Sequence, residues 1–187
     1  MREMPVRSRA FPAPVRALAC LLASVILLQP QTRSAETLEY EVKAAFLLNF
    51  TRFIDWPAGT FADANQPFTL CIMGKDPFGR ALDEVVGGEA INGRRLVIRR
   101  FADTLETQSC QIVFFSTTDK DLAREIHSCG RGVLTVGESD HFEREGGMIN
   151  FIIDSRRVRF DINQRAAESA GLKLSSKLLS VARKVEK

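Results

Sequence analysis

Phe68-Thr69-Leu70-Cys71-Ile72-Met73-Gly74-Lys75-Asp76-Pro77-Phe78-Gly79-Arg80-Ala81-Leu82 decides the fold. Its first residues form a short apolar run of the length and composition that suit a strand buried on both faces. Gly74 closes the run, and Asp76-Pro77 follows at once. An Asp at the N-cap accepts orphan amide protons, and a Pro at the first helical position lacks a donor that would go unused there. The spacing therefore predicts a helix from Phe78 to Val86, ended by Gly87-Gly88. A buried strand running directly into a helix is the first half of a parallel crossover unit.

Downstream the same alternation recurs. Arg94 to Phe101 alternates, with Leu96 and Ile98 on one face, and fits an edge strand. Cys110 to Ser116 and Val133 to Gly137 read as further buried strands, with a helix from Asp119 to His127 between them, closed around Gly130. Met148 to Asp154 and Val158 to Ile162 are then too close in sequence for a helical crossover, so they predict an antiparallel hairpin. Helical residues Gln164 to Ala170 end at Gly171. A last helix capped near Ser175 or Ser176 carries Leu178, Leu179, Ala182 and Val185. Upstream, Glu39 to Asp55 predicts a helix whose apolar face holds Val42, Ala45, Phe46, Asn49, Phe50 and Phe53, stopped by Trp56-Pro57. The expected fold is α/β. It is a mostly parallel, doubly wound sheet of Rossmann or flavodoxin-like type, with helices on both faces and a C-terminal antiparallel hairpin.

The N-terminal segment reads differently. Arg2, Arg7, Arg9 and Arg16 lead into the apolar run Ala17 to Leu28, 12 residues long and too short to span a bilayer as a helix. A basic lead, a short apolar stretch and small residues near Ala35 predict a secretory signal peptide over 1–35, although Arg33 stands where a small residue is preferred. Residues 36–187 are then a single exported domain. The formal charge of +3 comes from the leader, whose five Arg outweigh its one Glu; the remainder has a net charge of −1. A near-neutral domain gives no support to nucleic-acid binding.

Motifs with chemistry are few. Gly74 to Ala81 has the outline of a phosphate loop, but Arg80 and Ala81 stand where the lysine and the hydroxyl would be required. The basic clusters Arg94, Arg95, Arg99, Arg100 and Arg156, Arg157, Arg159 suit solvated strand edges and a hairpin turn. His127 and His141 stand apart from any Ser, Cys or carboxylate motif. No hydrolase or metalloenzyme signature occurs, so no catalytic residue, metal site or cofactor is expected. A ligand of an open α/β sheet binds at the carboxyl ends of its parallel strands, here around Lys75, Asp76, Ser116 and Glu138. Beyond the leader, Cys71, Cys110 and Cys129 allow three pairings. If the first and third strands are neighbours, Cys71 and Cys110 lie across one strand pair, where a bridge needs matching registers.

The order of landmarks resembles the YfiR family of bacterial periplasmic proteins. The landmarks are Phe53-Ile54-Asp55-Trp56-Pro57, Leu70-Cys71-Ile72-Met73-Gly74 and Asp76-Pro77-Phe78-Gly79. Cys110, Val133 to Gly137, Gly146 to Phe151, Phe160-Asp161-Ile162-Asn163 and Gly171 to Leu179 complete the pattern. The resemblance covers nearly all of residues 38–185. It implies a periplasmic, non-enzymatic repressor that binds the extracytoplasmic sensor domain of an inner-membrane diguanylate cyclase, controlling cyclic di-GMP and biofilm formation. It also implies a Cys71–Cys110 disulfide and a homodimer, with the membrane reached only through the partner. A small-molecule sensor binding at the strand ends is the alternative. The partner surface is expected on the hairpin and C-terminal segment, where Phe151, Leu172 and Leu174 would be rimmed by Arg156 and Arg157.

Overall fold

The computed structural model describes residues 34–102, 109–116 and 121–187; the leader expected over 1–35 lies almost wholly outside them. Helix α1 (Ala35–Phe53) opens the domain, with the Ser34 hydroxyl accepting the Thr37 amide proton at its N-cap. Strand β1 (Ile54–Asp55) follows directly. The central strands are β2 (Phe68–Met73), β4 (Arg94–Phe101), β5 (Ile112–Phe115), β6 (Leu134–Gly137), β7 (Ile149–Asp154) and β8 (Arg157–Asn163). Short strands β3 (Ala90–Ile91), β9 (Lys173–Leu174) and β10 (Lys184–Glu186) complete the set. The remaining helices are α2 (Arg80–Val86), α3 (Leu122–Ser128), α4 (Gln164–Ser169) and α5 (Ser176–Val181).

Eight strands form one mixed, mostly parallel sheet in the order β10-β8-β7-β6-β5-β2-β4-β3. β4, β2, β5, β6 and β7 are parallel in sequence, with Leu70 opposite Ile112 and Ile112 opposite Leu134. β7 and β8 pair antiparallel across a turn at Ser155-Arg156, and β3 pairs antiparallel with β4. The fully buried pattern of β2, β5 and β6 follows from helices covering both faces. Leu70, Ile72, Phe114 and Val136 face α1 and α2, joined by Leu47, Phe50 and Leu82. Cys71, Met73, Val113 and Phe115 face the other way, onto Leu122 and Ile126 of α3 and onto Phe142.

Several boundaries differ from the sequence reading, each for a physical reason. Asp76 does not cap α2: its carboxylate accepts the Phe78 amide proton in a tight turn, and Gly79, at φ 51°, is the N-cap. β4 is not the outermost strand, because Gly88 and Gly93 at positive φ let the chain fold back as β3. The last helix stops at Val181, and Val185 lies in β10, parallel to β8. Helix α1 ends at Phe53 because Ile54 and Asp55 pair with Leu174 and Lys173. Its buried face is rotated from the expected one. Lys43, Ala44, Leu47, Leu48, Phe50 and Thr51 point inward, whereas Ala45 and Asn49 face solvent.

Candidate functional site

The chain order reverses between β2 and β5, where an open α/β sheet ordinarily presents a crevice. Here that crevice is stapled shut. The Ser116 hydroxyl, just past β5, donates toward the carbonyls of Met73 and Lys75 at the end of β2. Asp76 is engaged by Arg100, whose Nε lies 2.7 Å from it while the same guanidinium also reaches Asp83. Burial draws the Arg100 pKa down, but the hydrogen bonds to Asp76 and Asp83 outweigh it and raise the value. Of the four residues expected to bind a ligand, Ser116 and Glu138 stand together on an open cleft, and Lys75 and Asp76 do not line it.

That cleft, of about 650 Å³, lies at the carboxyl ends of β5, β6 and β7 and is walled on one side by the first half of α1. Lys43 is buried on α1, which strands an ammonium unless carboxylates meet it. Glu39, one turn earlier, and Glu138, just past β6, both pair with it. The Tyr40 hydroxyl donates to Glu138 at 3.0 Å, and burial followed by the Glu138 charge raises its pKa well above the usual phenol range. On the opposite wall, Arg183 is held by the buried Asp161 of β8 through a pair of hydrogen bonds. The Asn150 amide group donates to the Ser139 carbonyl at 3.0 Å, while Asn150 Oδ1 and the Ser139 hydroxyl have no partner among the described residues.

The residues expected at a partner surface separate into two sets. Phe151 is 2 % exposed and Leu172 1 %; both are core. Phe151 packs against Phe46 and Phe50, and Phe50 meets Phe160 edge-on with ring centres 5.3 Å apart. Leu174 is half-buried in the β1–β9 pair. The surface reading is thus corrected for Phe151 and Leu172, because inward alternation along β7 and the turn after α4 bury them. Arg156 and Arg157 are exposed at the hairpin turn and, among the described residues, have no ion-pair partner. Beside them lies an apolar groove of about 580 Å³ between α1 and the hairpin. It presents Leu38 at 56 %, Val42 at 38 % and Ile153 at 53 % exposure. Sequence reasoning missed this groove because it assigned Val42 to the core and had no signal to pair α1 with the hairpin turn.

Cys71 and Cys110 form a disulfide with Cα atoms 5.9 Å apart. β2 and β5 are neighbours, but Cys110 precedes β5 rather than sitting in its ladder, where Val113 faces Cys71. The Cys129 thiol is free of disulfide and pushed up to about 12 by burial and then by the charge of Glu125, so it is a poor nucleophile at neutral pH. Among the described residues no group of three or more His, Cys, Asp or Glu is placed to hold a metal ion. No helix among them is long and apolar enough to cross a membrane.

Fold and surface together define a mixed α/β domain with an apolar groove between its first helix and its hairpin. The family model described as YfiR/HmsC-like matches residues 40–183, and the chain belongs to that family. That family is one of periplasmic regulators of cyclic di-GMP signalling rather than of catalysts. Among solved structures it is similar to a conserved domain protein from Vibrio cholerae O1 biovar El Tor, with a TM-score of 0.52 and 10 % identity. The alignment covers 79 % of this chain and 60 % of that one, and the likeness is one of fold alone. No curated protein matches the chain.

Proposed function

We propose that the exported domain represses an inner-membrane diguanylate cyclase by docking on its extracytoplasmic sensor domain, holding down cyclic di-GMP and biofilm formation. In this reading residues 1–35 are removed on export, the domain acts in the periplasm without catalysis, and it forms a homodimer. The observation that carries the reading is the groove beside Arg156 and Arg157. An apolar trough rimmed by cations that serve no ion pair among the described residues is the composition of a protein interface. Other arginines have internal employment: Arg94 donates to the carbonyls of Asp63, Ala64 and Gln66, and Arg100 binds Asp76 and Asp83. The complementary partner is an apolar segment flanked by carboxylates.

Calorimetric titration of the exported domain with the sensor domain tests this. Replacing both Arg156 and Arg157 with Glu is expected to weaken binding by about tenfold or more, because like charges then face each other across the rim. Ile153→Asp is expected to do the same through the apolar floor. Both variants should keep the parent circular-dichroism spectrum. Unchanged affinity in both would place the docking surface elsewhere.

A further inference from the structure

We propose that the cleft at the ends of β5, β6 and β7 is a binding site for a small organic amine. Its charge is lopsided once its internal pairs are counted. Glu39 and Glu138 share the single ammonium of Lys43, and Arg183 is matched by Asp161. Asp140 and Asp154, both exposed on the same walls, form no ion pair among the described residues, although the charge of Asp154 acts on Arg183. Four carboxylates (Glu39, Glu138, Asp140 and Asp154) line the cleft against two cations (Lys43 and Arg183), and Asp161 behind the wall offsets Arg183, so the cleft attracts positive charge and repels anions.

A second observation is independent of charge. Asn150 is 4 % exposed, lines the cleft, and its Oδ1 is a buried acceptor with no donor. The Ser139 hydroxyl beside it is also unpartnered. Leaving such groups unmet is unfavourable, because each has given up its hydrogen bonds to water. Asn150 Oδ1 can only accept, and a ligand that satisfies it must donate. An alkylammonium supplies an N–H donor for Asn150 and a positive charge within the acidic cleft. Its carbon chain meets the apolar wall of Ile152 and Ile153. A carboxylate or phosphate ligand meets neither demand. Among the described residues no three His, Cys, Asp or Glu side chains are grouped to hold a metal ion instead.

The site is separate from the docking groove, although Glu39 and Ile153 border both, so its test does not depend on the proposed partner. The probes are butylamine, putrescine and agmatine, with butyrate as a charge-reversed control, titrated into the exported domain by calorimetry and by NMR. At least one amine is expected to saturate the protein in the millimolar range or better, with butyrate inert, and to shift the Asn150 side-chain amide signals. Asp140→Asn with Asp154→Asn, both at exposed positions outside the core, should weaken amine binding by about tenfold or more. Glu138→Gln is a second variant, checked for native circular dichroism. The proposal is overturned if no amine saturates the protein. Equal binding of butyrate, or amine affinity unchanged in both variants with the Asn150 signals unmoved, would overturn it as well.

Discussion

Several of the landmark residues have structural explanations at the scale of single side chains. Asp161 holds Arg183 and so fastens β10 onto β8, while the Asn163 side chain accepts the Ala166 amide proton and caps α4. Gly137 and Gly147 make room for the buried Phe142 ring: a Cβ on either would lie 2.4 Å and 2.2 Å from ring carbons, respectively. A stretch such as Gly146 to Phe151 is therefore recognisable in sequence for packing reasons, and its pattern says nothing of a partner. Arg156 is the exception. It adopts φ 62° next to Ser155 at φ 51°, a left-handed turn that favours Asn-Gly. Arg156→Gly is expected to stabilise the domain by about 0.5–1 kcal/mol in urea unfolding, because glycine carries no Cβ penalty there. The same change should weaken docking on the sensor domain. A variant less stable than the parent would show that Arg156 makes a structural contribution beyond the turn.

Among the elements, the strands were the most legible. β2, β5 and β6 are uninterrupted apolar runs, and nothing but double-sided burial explains such runs in a chain of this charge content. Helix α1 was legible as a helix but not in its orientation. Treating Lys43 as a solvent-facing residue rotates the apparent apolar face toward Val42 and Phe53, whereas two carboxylates distant in sequence from each other make its burial tolerable. Glu138 lies 95 residues away from Lys43, so no local pattern records that pairing. β1, β9 and β10 escaped for the same reason: strands of two or three residues are defined by their partners and carry no periodicity of their own. The Lys43 network also makes a prediction. Lys43→Ala leaves Glu39 and Glu138 without their common cation and should cost about 1–3 kcal/mol in urea unfolding. Added Glu138→Ala should then recover part of that loss, since the two changes are coupled. Strict additivity would mean that the pair contributes nothing.

For the whole molecule, the covalent and functional claims have different standing in the sequence. The Cys71–Cys110 bridge was accessible because neighbouring strands narrowed the choice and the family resemblance pointed the same way. It closes a loop with a sequence separation of 39, and a Cys71→Ala, Cys110→Ala variant should lose about 3–4 kcal/mol of stability relative to the oxidised parent. Equal unfolding midpoints would mean that native strain cancels the entropic gain. The docking groove was not accessible, since it joins the first helix to a turn more than 100 residues later.

The proposed repression is read in the cyclic di-GMP content of intact cells. Deleting the gene should raise cyclic di-GMP, and restoring the full-length chain should bring it back to the parental level. A chain carrying Arg156→Glu and Arg157→Glu, accumulating in the periplasm to the same amount, should fail to do so. Cyclic di-GMP unchanged by the deletion would contradict the account.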